Sequence, residues 1–364
     1  MKIALVTETF YPAVDASTTT VKAVADRLID AGHRVEIVAP GPGLGCYRGS
    51  RVARVAGHDR TGRQLRAALD AFAPDLVHVT SPGPVGRATL KHARRLGVPS
   101  VVVEQSPLLD VTADHWRVKV AERADTVLAT SRWMVERLRE FGADAELWQP
   151  GVDPVAFTPE LRDPRLHAAW SRARSRSGTP VVVGHLGDLR TRRDARRLAE
   201  LVGLPGTQVV VIGDGAQLGR LRSRLPDAVF TGPLDTGDLT VALASLDLVV
   251  QPGERETCCH GLRAAAASGV PVVAPRAGGA PDVVRNLETG LLHDPGRPRA
   301  LANAVASLAL DSRRDLMGRR GRELALERDW RTAVDELVAE HYAPLLPGRA
   351  LRLASGVVRL ASTA

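Results

Sequence analysis

Short apolar runs, each bounded by glycine, proline or polar turn residues, alternate along the chain with stretches whose apolar positions recur at helical spacing. Residues 2–6 (KIALV) read as a strand, residues 21–31 as a helix closed by Gly32, and residues 35–39 as a second strand. The rhythm continues with a helix over 64–72, a strand over 76–80, a helix over 86–96 closed by Gly97, a strand over 100–104, a helix over 116–124 and a strand over 126–129. Short apolar strands alternating with helices predict a parallel, doubly wound sheet, so this α/β pattern reads as a Rossmann-like domain.

The pattern breaks at Gly151-Val152-Asp153-Pro154, and residues 172–179 (RARSRSGT) are polar and turn-rich, as in a linker. It restarts with a strand over 181–184, a helix over 194–201, a strand over 208–212 running into Gly213-Asp214-Gly215, and a helix ending at Leu225. A strand at Val229-Phe230, a helix over 239–244 and a strand over 246–251 lead to residues 252–271 (PGERETCCHGLRAAAASGVP), where an Ala-rich helix candidate precedes a strand over 272–274. A second Rossmann-like domain is the economical reading. Residues 302–346 have helical period, and 351–361 (LRLASGVVRLA) is a weaker apolar-basic repeat, expected as the frayed end of a terminal helix rather than a helix on a membrane surface.

Length agrees with two domains, since 364 residues exceed one ordinary core. With 44% apolar and 25% charged residues the composition is that of a folded soluble protein, and no apolar run approaches the roughly 18 residues of a membrane span. The chain enters a strand at once, without a signal peptide, and three cysteines cannot make a disulfide framework, so a cytoplasmic protein is expected. A net charge of +8 is carried almost wholly by arginine, lysine standing only at 2, 22, 91 and 119. No basic stretch is interleaved with aromatics, which argues against nucleic acid and leaves a phosphorylated ligand or an anionic membrane surface as partners for the charge.

Glu256 lies where an apolar run ends and a helix begins, a carboxylate well placed to meet a ligand at the carboxyl edge of a parallel sheet. His185 and Arg190 leave the strand at 181–184, and cations there suit a pyrophosphate, whereas Arg192, Arg193 and Arg196 read as a solvated helix start. Gly213-Asp214-Gly215 lacks the third glycine of a dinucleotide fingerprint, position 218 being Leu, and reads as a tight turn. Gly278-Gly279, ahead of Asp282, fits either an anion-approaching loop or a plain one. Cys258 and Cys259 are adjacent, and neither they nor His260 belong to a set at zinc spacing; small helix-start residues, at least one of them buried, are expected.

The segments ALVTETFYPAVDASTTTV, LVHVTSPGPVG, ADTVLATSRWMVERL, ELWQPGVDPVAFTP, VVVGHLGDL, VVVIGDGAQLGRL, FTGPL, LASLDLVVQPGERET, ASGVPVVAPRAGGAPDVV, ETGLLHDP and ERDWRTAVDELVAEHYAPLL follow one another through nearly the whole chain. In order and spacing they resemble the GT-B retaining glycosyltransferases of the family 4 (group 1) type, particularly the actinobacterial GDP-mannose-dependent mannosyltransferases. The resemblance implies two Rossmann-like domains facing across a cleft, with 1–155 on the acceptor side, 156–328 binding the nucleotide sugar, and a helical segment 329–364 packing back on the first domain. It further implies transfer of a hexose-type sugar from a nucleotide donor, with a GDP-sugar favoured, to a small-molecule or lipid acceptor. Transfer would proceed with retention and with help from the leaving diphosphate, without a metal or other cofactor.

Carried over by position, the resemblance makes Glu256, His185 and Arg190 catalytic, Glu256 being the first Glu of a Glu-x7-Glu motif whose second member is replaced by Ala264. Donor-side positions are Ala16, Ser17, Gly184, Gly232, Pro233, Leu234, Thr257, Cys258, Cys259 and Ala264; acceptor-side positions are Tyr11, Gln105, Ser106 and Ser131. His185 stands where the family has an arginine, Arg190 where it has a lysine, and Ala16 where it has a glycine, so one diphosphate cation is kept in altered form and the other becomes titratable. These departures cluster on donor contacts and suit a specialised or secondary-metabolite pathway. A homodimer and peripheral contact with the inner membrane face are compatible with the reading. The alternative is a non-catalytic relative with a degenerate donor site; a sugar-nucleotide epimerase ranks below both, because the motifs are those of transferases.

Overall fold

The computed structural model describes residues 1–56, 61–108, 110–172, 180–189 and 191–346, with the backbone of 351–353 and 356–358. The chain divides into two compact units, Met1–Pro150 with Trp330–Ala364, and Gly151–Asp329. The linker candidate at 173–179 lies outside the described residues, and Arg172 ends a helix, Pro164–Arg172.

The first unit is built on an eight-stranded sheet of β1 (Lys2–Thr7), β2 (Arg34–Pro40), β3 (Cys46–Tyr47), β4 (Ser50–Val55), β5 (Leu76–Thr80), β6 (Ser100–Glu104), β7 (Thr126–Ala129) and β8 (Glu146–Leu147), in the order β3-β4-β2-β1-β5-β6-β7-β8. The β3–β4 pair is antiparallel and the other pairings are parallel; Leu5 of β1 lies opposite Ile37 on one side and His78 on the other. β5 and β6 are buried at every position, as expected of strands covered by helices on both faces. One face packs Ile3, Leu5 and Ile37 against helix Ala16–Asp30 and the segment after Asp329, through Val334, Leu337 and Tyr342. The other packs Val77 and Val79 against Leu65, Leu69, Leu90 and Met134.

Polar contacts fix that late segment in place. The indole N–H of fully buried Trp148 donates to Ala333 O at 2.8 Å, Arg27 forks onto Asp335 with both bonds at 2.7 Å, and His78 Nδ1 meets the Tyr342 hydroxyl at 2.6 Å. The first helix begins at Ala16, five residues before its hydrophobic spacing becomes visible. Asp15 caps it, its Oδ1 accepting from Thr18 N at 2.9 Å, so that a threonine run of low helix propensity is carried into the first turn.

The second unit holds six parallel strands, β9 (Val181–Leu186), β10 (Thr207–Ile212), β11 (Val229–Gly232), β12 (Leu248–Val250), β13 (Val272–Pro275) and β14 (Gly290–His293), in the order β11-β10-β9-β12-β13-β14. Val182, Val210 and Val249 face helices Thr236–Ala244 and His260–Ala267; Val183, Val211 and Val250 face helices Arg192–Leu198, Leu218–Arg224 and Ala300–Leu310. Near the chain end, Leu351–Leu353 and Gly356–Val358 pair as antiparallel strands, which corrects the expected helix end. Leu351 and Leu353 flank Arg352, an alternation of period two that suits a strand. Among the described residues no helix is long and apolar enough to cross a membrane.

Candidate functional site

At the carboxyl edge of the second sheet, β12 is prolonged by Gln251 N donating to Val273 O at 2.9 Å, after which the chain turns through Pro252 to Cys259. Glu256 is exposed on this turn, whereas Thr257, Cys258 and Cys259 are 5%, 3% and 2% exposed. Cys259 adopts a left-handed conformation, φ 53°, and starts helix His260–Ala267; burial, with the Glu256 carboxylate nearby, pushes its thiol pKa up. The guanidinium of buried Arg263 donates through Nε to Cys258 O at 3.1 Å. Thr257, Cys258 and Cys259, expected as donor contacts, are thus buried residues next to exposed Glu256. Ala264 packs with Cys259, Leu262 and Ala265 in the core.

The loop after β13 supports this turn from beside. Gly279 N donates to Glu256 O at 2.6 Å, and Gly278 has φ +60°. A Cβ on Gly278 would stand 2.7 Å from both Glu254 O and Glu256 O. Of the two readings left open for Gly278-Gly279, the plain loop accounts for both glycine contacts, since Gly279 N is bonded to Glu256 O and Gly278 makes a close backbone approach that only glycine permits.

A second support comes from a residue that the sequence did not single out. Arg197, on helix Arg192–Leu198, is 8% exposed; its guanidinium donates to Pro295 O at 2.7 Å, reaches Pro252 O at 3.5 Å and pairs with Glu254. Arg193, expected to be merely solvated, meets the same Glu254 Oε1 at 2.8 Å. Neither contact is visible as a motif, because the partners are joined by strand order and not by spacing.

His185 sits at the end of β9 with 3% exposure, its Nδ1 3.2 Å from Val250 O and its Nε2 buried without a partner. A ring nitrogen next to a carbonyl oxygen carries the proton, so Nε2 presents a lone pair. Burial lowers the imidazole pKa to about 4, and His185 is neutral near pH 7. The titratable group expected in the family's arginine place is held in its neutral form, because desolvation outweighs the neighbouring Asp194 charge. Arg190 lies outside the described residues.

Gly184 has a packing reason for being glycine: a Cβ there would stand 2.1 Å from Leu246 Cδ1. Gly213 and Gly215 pack backbone to backbone against Gly187 and Leu189, with hypothetical Cβ distances of 2.5 and 2.6 Å, as a tight strand-to-helix turn requires. Gly232, at φ +75°, accepts from Gly213 N at 3.0 Å and leads into exposed Pro233 and half-buried Leu234.

In the first unit, Ala16 is exposed at the first turn of its helix, and Ser17 Oγ reaches Ser81 Oγ at 3.3 Å. Tyr11 stacks on Tyr47, with ring centroids 6.3 Å apart, and its carbonyl accepts from Arg54 at 2.6 Å. Gln105 is 6% exposed and its Oε1 accepts from Thr20 Oγ1 at 3.2 Å, while Ser106 is exposed. Ser131, expected on the acceptor side, is fully buried and caps helix Arg132–Glu140 by accepting from Met134 N at 3.3 Å.

Glu104, at the end of β6, was not singled out from sequence. Its carboxylate accepts from Gln105 N at 3.0 Å, Ser106 N at 2.9 Å and Trp116 Nε1 at 2.7 Å. Complete burial nevertheless pushes its pKa up to about 7, the three donors opposing the shift. Among the described residues no group of three or more His, Cys, Asp or Glu side chains is arranged to hold a metal.

The family model described as Glycosyltransferase Family 4 matches residues 17–155, and that described as Glycosyl transferases group 1 matches residues 182–311. A GDP-mannose-dependent alpha-mannosyltransferase of Mycolicibacterium smegmatis is 37% identical over 385 residues, covering 97% of this chain and 100% of the relative. Its namesake in Mycobacterium tuberculosis is 35% identical, covering 94% and 97%, and that in Corynebacterium glutamicum 32%, covering 95% and 89%. Among solved structures, Anabaena HepE in complex with UDP superposes with TM-score 0.77 at 19% identity, covering 93% of this chain and 98% of the other. Sucrose-phosphate synthase from Thermosynechococcus elongatus also gives TM-score 0.77 at 19% identity, covering 92% and 97%. With relatives matched over nearly their whole length and the fold shared, the chain belongs to the GT-B glycosyltransferases of the family 4 (group 1) type and is a glycosyltransferase.

Proposed function

We propose that the protein moves a mannose or related hexose from a GDP-activated donor to a small-molecule or lipid acceptor, with retention of anomeric configuration. The observation that carries the reading is the 37% identity, across 97% of the chain, to a relative named as a GDP-mannose-dependent alpha-mannosyltransferase. In this reading the donor lies at the carboxyl edge of the second sheet, where exposed Glu256 faces the sugar hydroxyls and Arg190 meets the diphosphate. Catalysis then consists of stabilising charge on the departing diphosphate and orienting the acceptor, work for fixed dipoles and cations rather than for a strong protein base. No metal is required for such a step when cations and amides receive the charge.

His185 enters with a lone pair at Nε2, so it accepts a hydrogen bond in its resting state and meets phosphate oxygen only after taking up a proton. Ala264 leaves the donor ribose without a charged acceptor, which weakens donor binding by about 1.5–3 kcal/mol relative to a site that keeps the carboxylate. Both features support a specialised pathway with modest donor affinity. The acceptor is placed with the first unit, and a lipid acceptor would bring the protein to the inner membrane face without a membrane-spanning helix.

The test is incubation with GDP-, UDP- and dTDP-sugars, with mass-spectrometric detection of nucleotide release and of glycosylated acceptor. Turnover of GDP-mannose or another GDP-hexose, with UDP- and dTDP-sugars inert, is expected. Absence of binding and of turnover for every donor contradicts the proposal.

A further inference from the structure

We propose that Glu104 is the positioning residue of the acceptor side, its buried carboxylate fixing the path of Gln105 and Ser106 as the chain leaves β6; this rests on the reading that those two residues meet the acceptor. Glu104 ends β6 opposite Ala129 of β7 and is 3% exposed. A carboxylate in such a place costs stability unless donors compensate it. Its Oε1 accepts from Gln105 N at 3.0 Å and Ser106 N at 2.9 Å, and its Oε2 from Trp116 Nε1 at 2.7 Å, so each oxygen holds a different piece of chain.

Oε1 sets the start of the segment. Pro107 has no N–H, so one carboxylate oxygen receives both backbone donors that 105–107 possess. Ser106, preceding a proline, is held to extended conformations. Across this bend the chain passes from buried Gln105, whose Oε1 accepts from Thr20 Oγ1 at 3.2 Å, to exposed Ser106. Oε2 sets the far end: Trp116, in helix Ala113–Lys119, packs in the core with Val102 and Val127, and Leu108 packs against the same cluster. One side chain thereby ties the exit of β6 to the helix that follows it. An ionised carboxyl satisfies all three donors without offering a hydrogen of its own. Glutamine keeps the shape, but its Nε2 hydrogens would face either the two backbone N–H groups or the indole N–H, donor against donor.

The experiment measures transfer from GDP-mannose to octyl α-mannoside, and GDP release to water without it, at about pH 8, where the Glu104 carboxyl is mostly ionised. Wild type is compared with Glu104→Gln, Trp116→Phe, Gln105→Ala, Ser106→Ala and His115→Ala, with GDP affinity by calorimetry and Tm for each. Glu104→Gln is expected to lose about tenfold or more in kcat/KM for the mannoside, as a misplacement near 1 Å produces. Its GDP release to water and its GDP affinity stay within about twofold of wild type, because neither uses the acceptor. Trp116→Phe gives up one bond of the three and loses about threefold in the same quantity, again with GDP release unchanged. His115→Ala, exposed on the same helix, leaves transfer unchanged.

If Glu104→Gln fails to fold, Trp116→Phe decides, since it leaves the carboxylate and both backbone bonds in place. The inference is overturned if Gln105→Ala or Ser106→Ala lowers kcat/KM for the mannoside while Glu104→Gln and Trp116→Phe keep the wild-type value. It is equally overturned if transfer, GDP release and GDP affinity fall in parallel in Glu104→Gln, as general loosening of the unit would produce. If Gln105→Ala and Ser106→Ala both transfer as wild type, or wild type glycosylates no mannoside, the acceptor reading fails first and the inference falls with it.

Discussion

Gly278→Ala tests whether the turn carrying Glu256 is held by close backbone contact. The added methyl would lie 2.7 Å from Glu254 O and Glu256 O, and the residue must hold φ +60°. A left-handed alanine costs about 1–2 kcal/mol. A carbon needs about 3.3 Å or more from a carbonyl oxygen, so the turn must withdraw by roughly half an ångström or more. That movement stretches the 2.6 Å bond from Gly279 N to Glu256 O, a further loss of about 1 kcal/mol. The sum is about 2–3 kcal/mol in stability, with a loss in kcat of about tenfold or greater if Glu256 moves with the turn.

Gly203→Ala supplies the control: φ is +68°, no atom lies within 4 Å of its Cβ position, and only the conformational cost remains. Denaturant unfolding and transfer kinetics measured on both variants separate strain from displacement. Equal stability losses, with kcat unchanged in both, would refute the claim that Gly278 braces the turn.

Glu104 should destabilise the first unit as pH rises. Its carboxyl is protonated in the folded state up to about 7 against an ordinary value of 4.5, so stability is full below 4.5 and falls by roughly 3 kcal/mol through 7. Glu104→Gln should remove that decline in urea melts at about pH 5 and 8, and a variant with the wild-type slope would contradict the assignment. His185 should act in the opposite sense in the second unit, its folded pKa of about 4 lying below the unfolded 6.5. Stability is therefore present above 6.5 and falls as pH drops toward 4, with the ring nitrogens showing no imidazole titration between about pH 5.5 and 8 by NMR. GDP and 2′-deoxy-GDP should bind within about threefold of each other, because Ala264 offers the ribose no acceptor; a preference for GDP of about thirtyfold would reveal a replacement group.

Much of the fold was legible because burial on both sheet faces writes strands as apolar runs: 76–80, 100–104 and 126–129 match β5, β6 and β7 residue for residue. Elements went unseen where packing, not propensity, decides. β4 reads SRVARV, two arginines concealing a strand that pairs with β2, and the first turn of Ala16–Asp30 is written in threonines that only the Asp15 cap makes helical. The candidate site shows the same division. Glu256 is legible as a candidate because it sits at a sheet edge in a recognisable segment, whereas Arg197, Glu254 and Glu104 depend on which strands become neighbours. His185 is legible in the sequence as a titratable group, but neither its 3% exposure nor its bond to Val250 O, which keep it neutral, can be read from Gly184-His185-Leu186.

This glycosyltransferase is proposed to take its sugar from a GDP-linked donor with the help of Glu256. The measurement that tests this proposal most directly is GDP-mannose turnover by wild type and Glu256→Ala, followed as GDP release, with Tm recorded for both. Wild type should turn the donor over, and Glu256→Ala should lose about 10- to 100-fold in rate, as loss of a charge-assisted hydrogen bond implies, with Tm nearly unchanged. Equal rates in the two proteins, or a parallel loss of rate and Tm, would contradict it.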